Sequence, residues 1–262
     1  MKVSLQAALS DPHIDVQQNS SQRQLSLSIS AIAEELDRTV PLNLCLVLDR
    51  SGSMSGRPLE TVKQAAIRLI EQLSPSDRLS VIAFDHRAQV IIPNQAVENF
   101  NQVKQQIQKL EPAGGTSIDE GMKLGIKEAA IGKQDRVSQI FLLTDGENEH
   151  GDNQRCLKLS QLASEYNITL NTLGFGSHWN QDILETIADS AGGALCYIEK
   201  PEQVLTEFSR LFTRIQSVGL TNAHLLLQLV PQVRLAELKP AAQVAPDTVE
   251  LAVQSEGNQF AL

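Results

Sequence analysis

The apolar run Leu42–Leu48 stops abruptly at Asp49, and the next residues set hydroxyls at alternate positions, Ser51 and Ser53, around Gly52. No other stretch limits the fold as strongly. The run is far shorter than the roughly 20 apolar residues a membrane helix needs. It reads as a strand buried on both faces, as in a parallel sheet covered by helices. The turn beyond it is unlike a core: a carboxylate and two hydroxyls in a tight glycine-containing segment, all oxygen donors. Hard divalent cations take oxygen ligands, magnesium in octahedral array. The turn is a candidate metal site.

One turn cannot fill an octahedron, and two other stretches offer complementary oxygens. Gly114-Gly115-Thr116-Ser117 places a hydroxyl on a glycine-rich turn ahead of a helical pattern. A second apolar run, Val137–Leu143, ends in Thr144-Asp145-Gly146. In an open α/β sheet, ligands bind beyond the carboxyl ends of the strands, where strand order reverses. Asp49 ends the first strand of the α/β pattern and Asp145 the fourth. In the order 3-2-1-4-5-6 these two strands are neighbours at the reversal.

The D-x-S-x-S of Asp49, Ser51 and Ser53, the G-G-T-S threonine Thr116 and the L-L-T-D-G aspartate Asp145 resemble the metal-ion-dependent adhesion site of von Willebrand factor A domains. The resemblance covers roughly residues 41–217. It implies a doubly wound, mostly parallel six-stranded α/β sheet of Rossmann-like type, with helices on both faces and one antiparallel edge strand. It implies a divalent cation held by Asp49, Ser51, Ser53, Thr116 and Asp145. Mg2+ is the first expectation, with Mn2+ and Ca2+ as alternatives. It also implies a protein partner whose Asp or Glu completes the coordination sphere.

Two other readings stand beside this one. A metal-assisted hydrolase or phosphatase would also place Asp at a strand end beside magnesium. Against it, Ser51 stands where a second Asp would act as acid or base. There is also no G-x-x-x-x-G-K-[ST] loop, and Met54 occupies the centre of Gly52–Gly56, where a nucleophile elbow needs Ser. The chain is therefore expected not to be an enzyme. The third reading is a structural assembly module whose site has no metal role; Thr116 as a helix cap belongs to it.

The rest of the α/β pattern is regular. Leu59, Val62, Ala65, Ala66, Leu69, Ile70 and Leu73 form a helical stripe after Pro58. Arg78–Phe84 and Ala88–Ile92 read as a hairpin ending in an edge strand. Phe100–Leu110, the segment after Thr116, Asn153–Tyr166, Gln181–Asp189 and Pro201–Ile215 read as helices. Thr116 or Ser117 is expected to cap its helix, with Asp119 or Glu120 at capping-box spacing. Ile168–Gly174 and Gly193–Ile198 complete the strands. The loop Gly146–Asp152 carries Glu147, Glu149 and Asp152. It reads as a solvated acidic loop or as the rim of the metal site. Trp179, the single tryptophan, lies in an exit loop on the same side, as a binding anchor or as packing under that loop. Arg50 is an ordinary variable position of the motif, able to pair with a partner's acid.

Both ends of the chain switch to period two. Val3–Leu9, His13–Gln17 and Gln24–Ala33 alternate in the first 40 residues, and His224–Pro231, Val233–Leu238 and Thr248–Gln254 alternate after residue 217. Residues 1–40 and 218–262 are expected to form a small antiparallel β-sandwich split by the α/β insert. It stops in mid-pattern at Phe260-Ala261-Leu262, as part of a longer domain would.

A net charge of −9 and a pI near 5.1, with no Lys/Arg cluster, argue against nucleic acid. The five histidines lack zinc spacing. The three cysteines, Cys45, Cys156 and Cys196, are widely spaced and read as buried apolar groups in a reducing compartment. The N-terminus has no sustained apolar region, so no membrane insertion and a cytoplasmic location are the expectations. Oligomeric state is not legible.

Overall fold

The computed structural model describes residues 2–13, 17, 20–32, 40–176, 179–200, 203–216, 226–235, 242–243, 249–250, 254–256 and 259–261. The chain divides into two compact units, Met1–Gly219 and Leu220–Leu262. The first unit opens with an antiparallel ribbon of β1 (Lys2–Leu9) and β2 (Leu25–Ile32), whose register sets Leu5 opposite Ile29 and Leu9 opposite Leu25.

Strands and helices then alternate: β3 (Leu42–Asp49), α1 (Arg57–Ile70), β4 (Arg78–Phe84), β5 (Ala88–Ala96), α2 (Phe100–Gln108), α3 (Ile118–Gly132), β6 (Val137–Thr144), α4 (Asn153–Glu165), β7 (Ile168–Phe175), α5 (Gln181–Ser190), β8 (Leu195–Ile198) and α6 (Val204–Gln216). They build a six-stranded sheet in the order β5-β4-β3-β6-β7-β8. This is the order expected from the sequence. All pairings are parallel except that of the edge strand β5 with β4. Strand order reverses between β3 and β6.

Every residue of β3 and of β6 is buried, as expected for near-continuous apolar runs covered on both faces. Alternate side chains of β3 feed two cores. Leu44, Leu46 and Leu48 pack with Leu59, Val62 and Leu69 of α1 and Phe208 and Phe212 of α6. Cys45 and Val47 pack with Met122 and Ile126 of α3, Cys156 of α4 and Leu184 of α5. Each fully buried Leu, Ile or Phe contributes about 1.5–3 kcal/mol, so the sheet's centre is a rigid base for the loops at its ends.

At the start of β3 lies a buried polar cluster. Asn43 Nδ2 donates to Ala129 O at 2.7 Å and to Ser138 Oγ at 2.9 Å, while its Oδ1 accepts from Asn94 Nδ2 at 2.7 Å. Asn94 N donates to Glu128 Oε2 at 2.7 Å, and Arg78 donates to Asn94 Oδ1 and O.

The capping of α3 differs from expectation. Ser117 takes the N-cap position, but its hydroxyl turns to Asp119 Oδ1 at 3.2 Å. Ile118 N is satisfied instead by Asn148 Oδ1 at 2.7 Å, from a loop 30 residues away in sequence. A tertiary acceptor, the Asn148 side-chain oxygen, replaces the local capping box.

The second unit carries short strands: β9 (Leu226–Gln228), β10 (Ala242–Gln243), β11 (Val249–Glu250), β12 (Gln254–Glu256) and β13 (Gln259–Ala261). They pair as β10-β11 and as β12-β13-β9. The strand expected at Val233–Leu238 does not form over residues 233–235, and residues 236–238 lie outside the described ones. Val233 N donates to Val230 O at 2.9 Å, closing a turn around Pro231. Most of the strand expected at His13–Gln17, and the expected boundary of the α/β insert after residue 217, lie outside the described residues; at the other boundary Val40 and Pro41 lead directly into β3. No helix among the described residues is long and apolar enough to cross a membrane.

Candidate functional site

The carboxyl end of β3 is tied to its neighbour before any ligand is considered. Asp49, the last residue of the strand, is fully buried. Its Oδ1 accepts the Ser51 N–H at 2.7 Å and its Oδ2 accepts the Thr144 hydroxyl at 2.6 Å. Thr144 ends β6, immediately before Asp145. The two strands that flank the reversal are thus joined through one carboxylate.

The turn after Asp49 curls into a short 3-10 segment, Gly52–Met54, with Met54 sunk in the core. This lifts Ser51 and Ser53 side by side, their hydroxyls 3.0 Å apart. Ser53 Oγ donates to Asp145 Oδ1 at 2.8 Å, and Ser51 Oγ lies 3.5 Å from the same oxygen.

The third loop is stitched to the first. Gly52 N donates to Gly114 O at 3.0 Å and Ala113 N to Arg50 O at 2.7 Å. Gly114 sits at φ +50°, and a methyl there would run into the His86 imidazole; one on Gly115 would run into His150. The turn therefore needs both glycines. It carries Thr116, which is 3% exposed and faces Gly146: a methyl there would stand 3.3 Å from Thr116 Oγ1. The Thr116 hydroxyl makes no hydrogen bond to any described residue, yet the side chain lines the cleft over the site.

All five side chains expected at the site thus lie on three loops at one end of the sheet, and hydrogen bonds gather four of them. The cleft above has a volume of about 530 Å3 and is lined by Ser51, Ser53, Thr116 and Asp145, with Glu147, Glu149 and Trp179 among its outer residues. Asp49 lies beneath it. Among the described residues, no group of three or more His, Cys, Asp or Glu side chains is placed to hold a metal. The convergent oxygens here come mainly from hydroxyls.

Burial pushes the Asp49 carboxyl up to about 6, with the charge of Asp145 adding to it, against the lowering effect of the Thr144 and Ser51 hydrogen bonds. A buried carboxylate held this way calls for positive charge. The three cysteines are free and buried, and burial pushes each thiol up to about 12. They are packing groups, as expected.

Several positions take on roles the sequence left open. Arg50 is committed internally: its guanidinium meets Asp85 Oδ2 at 2.8 Å. Asp85 is 2% exposed, and its backbone carbonyl accepts Ser117 N at 2.8 Å, so the pair braces the Thr116 turn. In the acidic loop, Glu147 and Glu149 are exposed at the cleft, while Asp152 caps α4 through Gln154 N at 2.8 Å. Trp179 both packs and faces the cleft. Its ring covers Gly174, its N–H donates to Gly176 O at 2.9 Å, and Tyr197 meets it in a tilted contact with centroids 5.6 Å apart. Thr144, Asp85 and Asn148 were missed. Thr144 left one trace, a polar residue closing an apolar run.

The von Willebrand factor type A domain model matches residues 43–210. An uncharacterized protein of Synechocystis sp. is 60% identical over 257 residues, which are 98% of this chain and 61% of the relative, so the chain spans about three-fifths of that protein. The solved von Willebrand factor type A structure from Catenulispora acidiphila superposes with a TM-score of 0.70 at 17% identity, covering 90% of this chain and 55% of that one. Proximal thread matrix protein 1 of the mussel byssus, solved with a zinc-occupied metal-ion-dependent adhesion motif, superposes with a TM-score of 0.57 at 17% identity over 70% of this chain and 46% of that one.

Proposed function

The chain belongs to the von Willebrand factor type A domain family, and from that premise we propose that it is a metal-dependent protein-binding module. Asp49, Ser51, Ser53, Thr116 and Asp145 would hold a divalent cation, Mg2+ first, with Mn2+ and Ca2+ as alternatives. The observation that carries this reading is the convergence of these side chains from three loops, with the Thr116 hydroxyl free of hydrogen bonds to described residues and open to the cleft. The donor set is all oxygen, which suits a hard cation.

When bound, the cation supplies a Lewis-acidic centre with a coordination position open to a partner's Asp or Glu. The chain's own residues prepare that position. Asp49 and Asp145 nearly balance a divalent charge. The Ser51 and Ser53 hydroxyls add neutral donors, so the centre keeps affinity for a further anion. Ser51 N and Thr144 fix Asp49 in place. Ser51, standing two residues after Asp49, offers no acid or base for phosphoryl or acyl transfer, which supports binding over catalysis. The mussel relative's zinc-occupied motif supports the metal assignment by likeness of fold.

The experiment is affinity capture from lysate with the intact chain in magnesium, in chelator, and as Asp49→Ala. Proteins retained only by the wild type in magnesium are the expected result. Identical retention in all three arms would end the metal-dependent reading.

A further inference from the structure

The cleft is larger than one carboxylate needs. At about 530 Å3 it is in the size range of pockets that hold whole small ligands. The ligating acid of a partner would fill only the floor, where Ser51, Ser53, Thr116 and Asp145 converge. The remaining volume belongs to whatever flanks that acid, and its walls are chemically specific.

One wall is acidic. Glu147 and Glu149 line the cleft on the loop that leaves Asp145. Both are exposed, and Glu147 makes no ion pair with a described residue. Glu149 Oε2 lies 4.0 Å from His150 Nδ1, and the Glu149 side chain is 64% exposed. The arginine closest in sequence to the metal turn, Arg50, is held by Asp85 and does not neutralise this rim. The other wall is the Trp179 ring. Its N–H is satisfied by Gly176 O, Gly174 leaves the ring room to lie flat, and Tyr197 holds it from the side. It is pre-ordered, so contact with it costs little side-chain entropy. The floor points to a ligand independently of the walls: Thr116 is 3% exposed as a residue, and its hydroxyl opens to the cleft with no hydrogen bond to a described residue.

We propose that the partner's recognition segment is an Asp or Glu flanked by Lys or Arg, the acid entering the floor of the cleft and the cation seating between the Glu147/Glu149 rim and the Trp179 ring. This rests on the metal-dependent reading of the floor. The rim repels a purely acidic segment and attracts one that pairs its acid with positive charge. The stem of a lysine or arginine lies along an indole face, and its charge is favoured over that face. Such selection keeps a strongly acidic protein from binding every exposed carboxylate around it.

The test is selection from a bead-displayed peptide library with a fixed central Asp and two randomised residues on each side. The wild-type chain in magnesium, the wild type in chelator, Asp49→Ala and the double variant Glu147→Gln/Glu149→Gln are compared. The wild type in magnesium is expected to enrich Lys and Arg at the flanking positions over Glu and Asp by about ten-fold, an enrichment that shrinks in high salt. The double variant is expected to keep magnesium-dependent retention and lose the cationic enrichment. Magnesium-dependent retention with no cationic enrichment, or with enrichment unchanged in the double variant, would overturn the proposal and leave the metal reading standing. Retention indifferent to magnesium and to Asp49→Ala would overturn the metal reading and this proposal with it.

Discussion

Strand β3 carries a buried polar cluster at each end, and the two are built to opposite plans. At its start, Asn43 uses both donor and acceptor on Ala129, Ser138 and Asn94, and Asn94 in turn is closed by Glu128 and Arg78. At its end, Asp49 is equally buried, but the groups around it converge on a cleft and Thr116 keeps an unspent hydroxyl. A cluster closed on itself fixes structure. A cluster left open toward solvent is stored binding capacity. Six residues of extended strand separate the ends by about 20 Å, so each is expected to be perturbed without the other.

The largest expected effect is at the open end. Asp49→Ala is expected to lower magnesium affinity by about 100-fold or more, while urea denaturation in chelator shows little loss of stability. Titration calorimetry reads the first and circular dichroism the second. At the closed end the pattern reverses. Asn43→Ala strands Asn94 and Ser138 and is expected to cost about 3–4 kcal/mol of stability, with magnesium affinity within about two-fold of wild type. If Asn43→Ala weakened magnesium binding as much as Asp49→Ala, the two ends would be one coupled network.

A third expectation concerns pH. The folded Asp49 carboxyl stands at about 6, above its ordinary value of 3.8. A raised carboxyl contributes stability that is full below the unfolded value and lost as pH rises through the folded one. In chelator, wild-type stability relative to Asp49→Asn is therefore expected to fall between pH 4 and about 7, by at most about 3 kcal/mol. A flat difference across that window would mean the carboxylate is better compensated than its two hydrogen bonds provide. The smallest expected effect is at Thr116. Thr116→Val keeps shape and removes only the unpartnered hydroxyl. Its stability in chelator is expected to stay within about 1 kcal/mol of wild type or rise, while magnesium-dependent binding falls about ten-fold.

The open end was far more legible in sequence than the closed one, for a physical reason. Metal-type ligands sit where strands stop, so Asp49 and Asp145 were marked by abrupt ends of apolar runs, and Thr116 by its two glycines. The strand order came from the open α/β pattern and from the family resemblance, not from periodicity alone. Asn43 and Asn94 left no such trace, because their partners come from β5, α3 and β6 and exist only once the sheet is assembled. The same holds for Asn148, which caps α3 from a distant loop where local spacing pointed to Ser117, and for Arg50, whose partner Asp85 lies across the sheet. Local alternation favoured a strand from Val233, and none forms over residues 233–235.

The most direct test of the open end is a manganese titration of the isotope-labelled chain followed by amide NMR. A paramagnetic ion broadens the signals nearest to it. The expected result is early loss of the Ser51, Ser53, Thr116 and Asp145 amides, intact signals for Asn43 and Asn94, and no selective loss in Asp49→Ala. Broadening confined to the exposed acidic loop around Glu147 and Glu149, or unchanged by Asp49→Ala, would contradict a cation held at the end of β3.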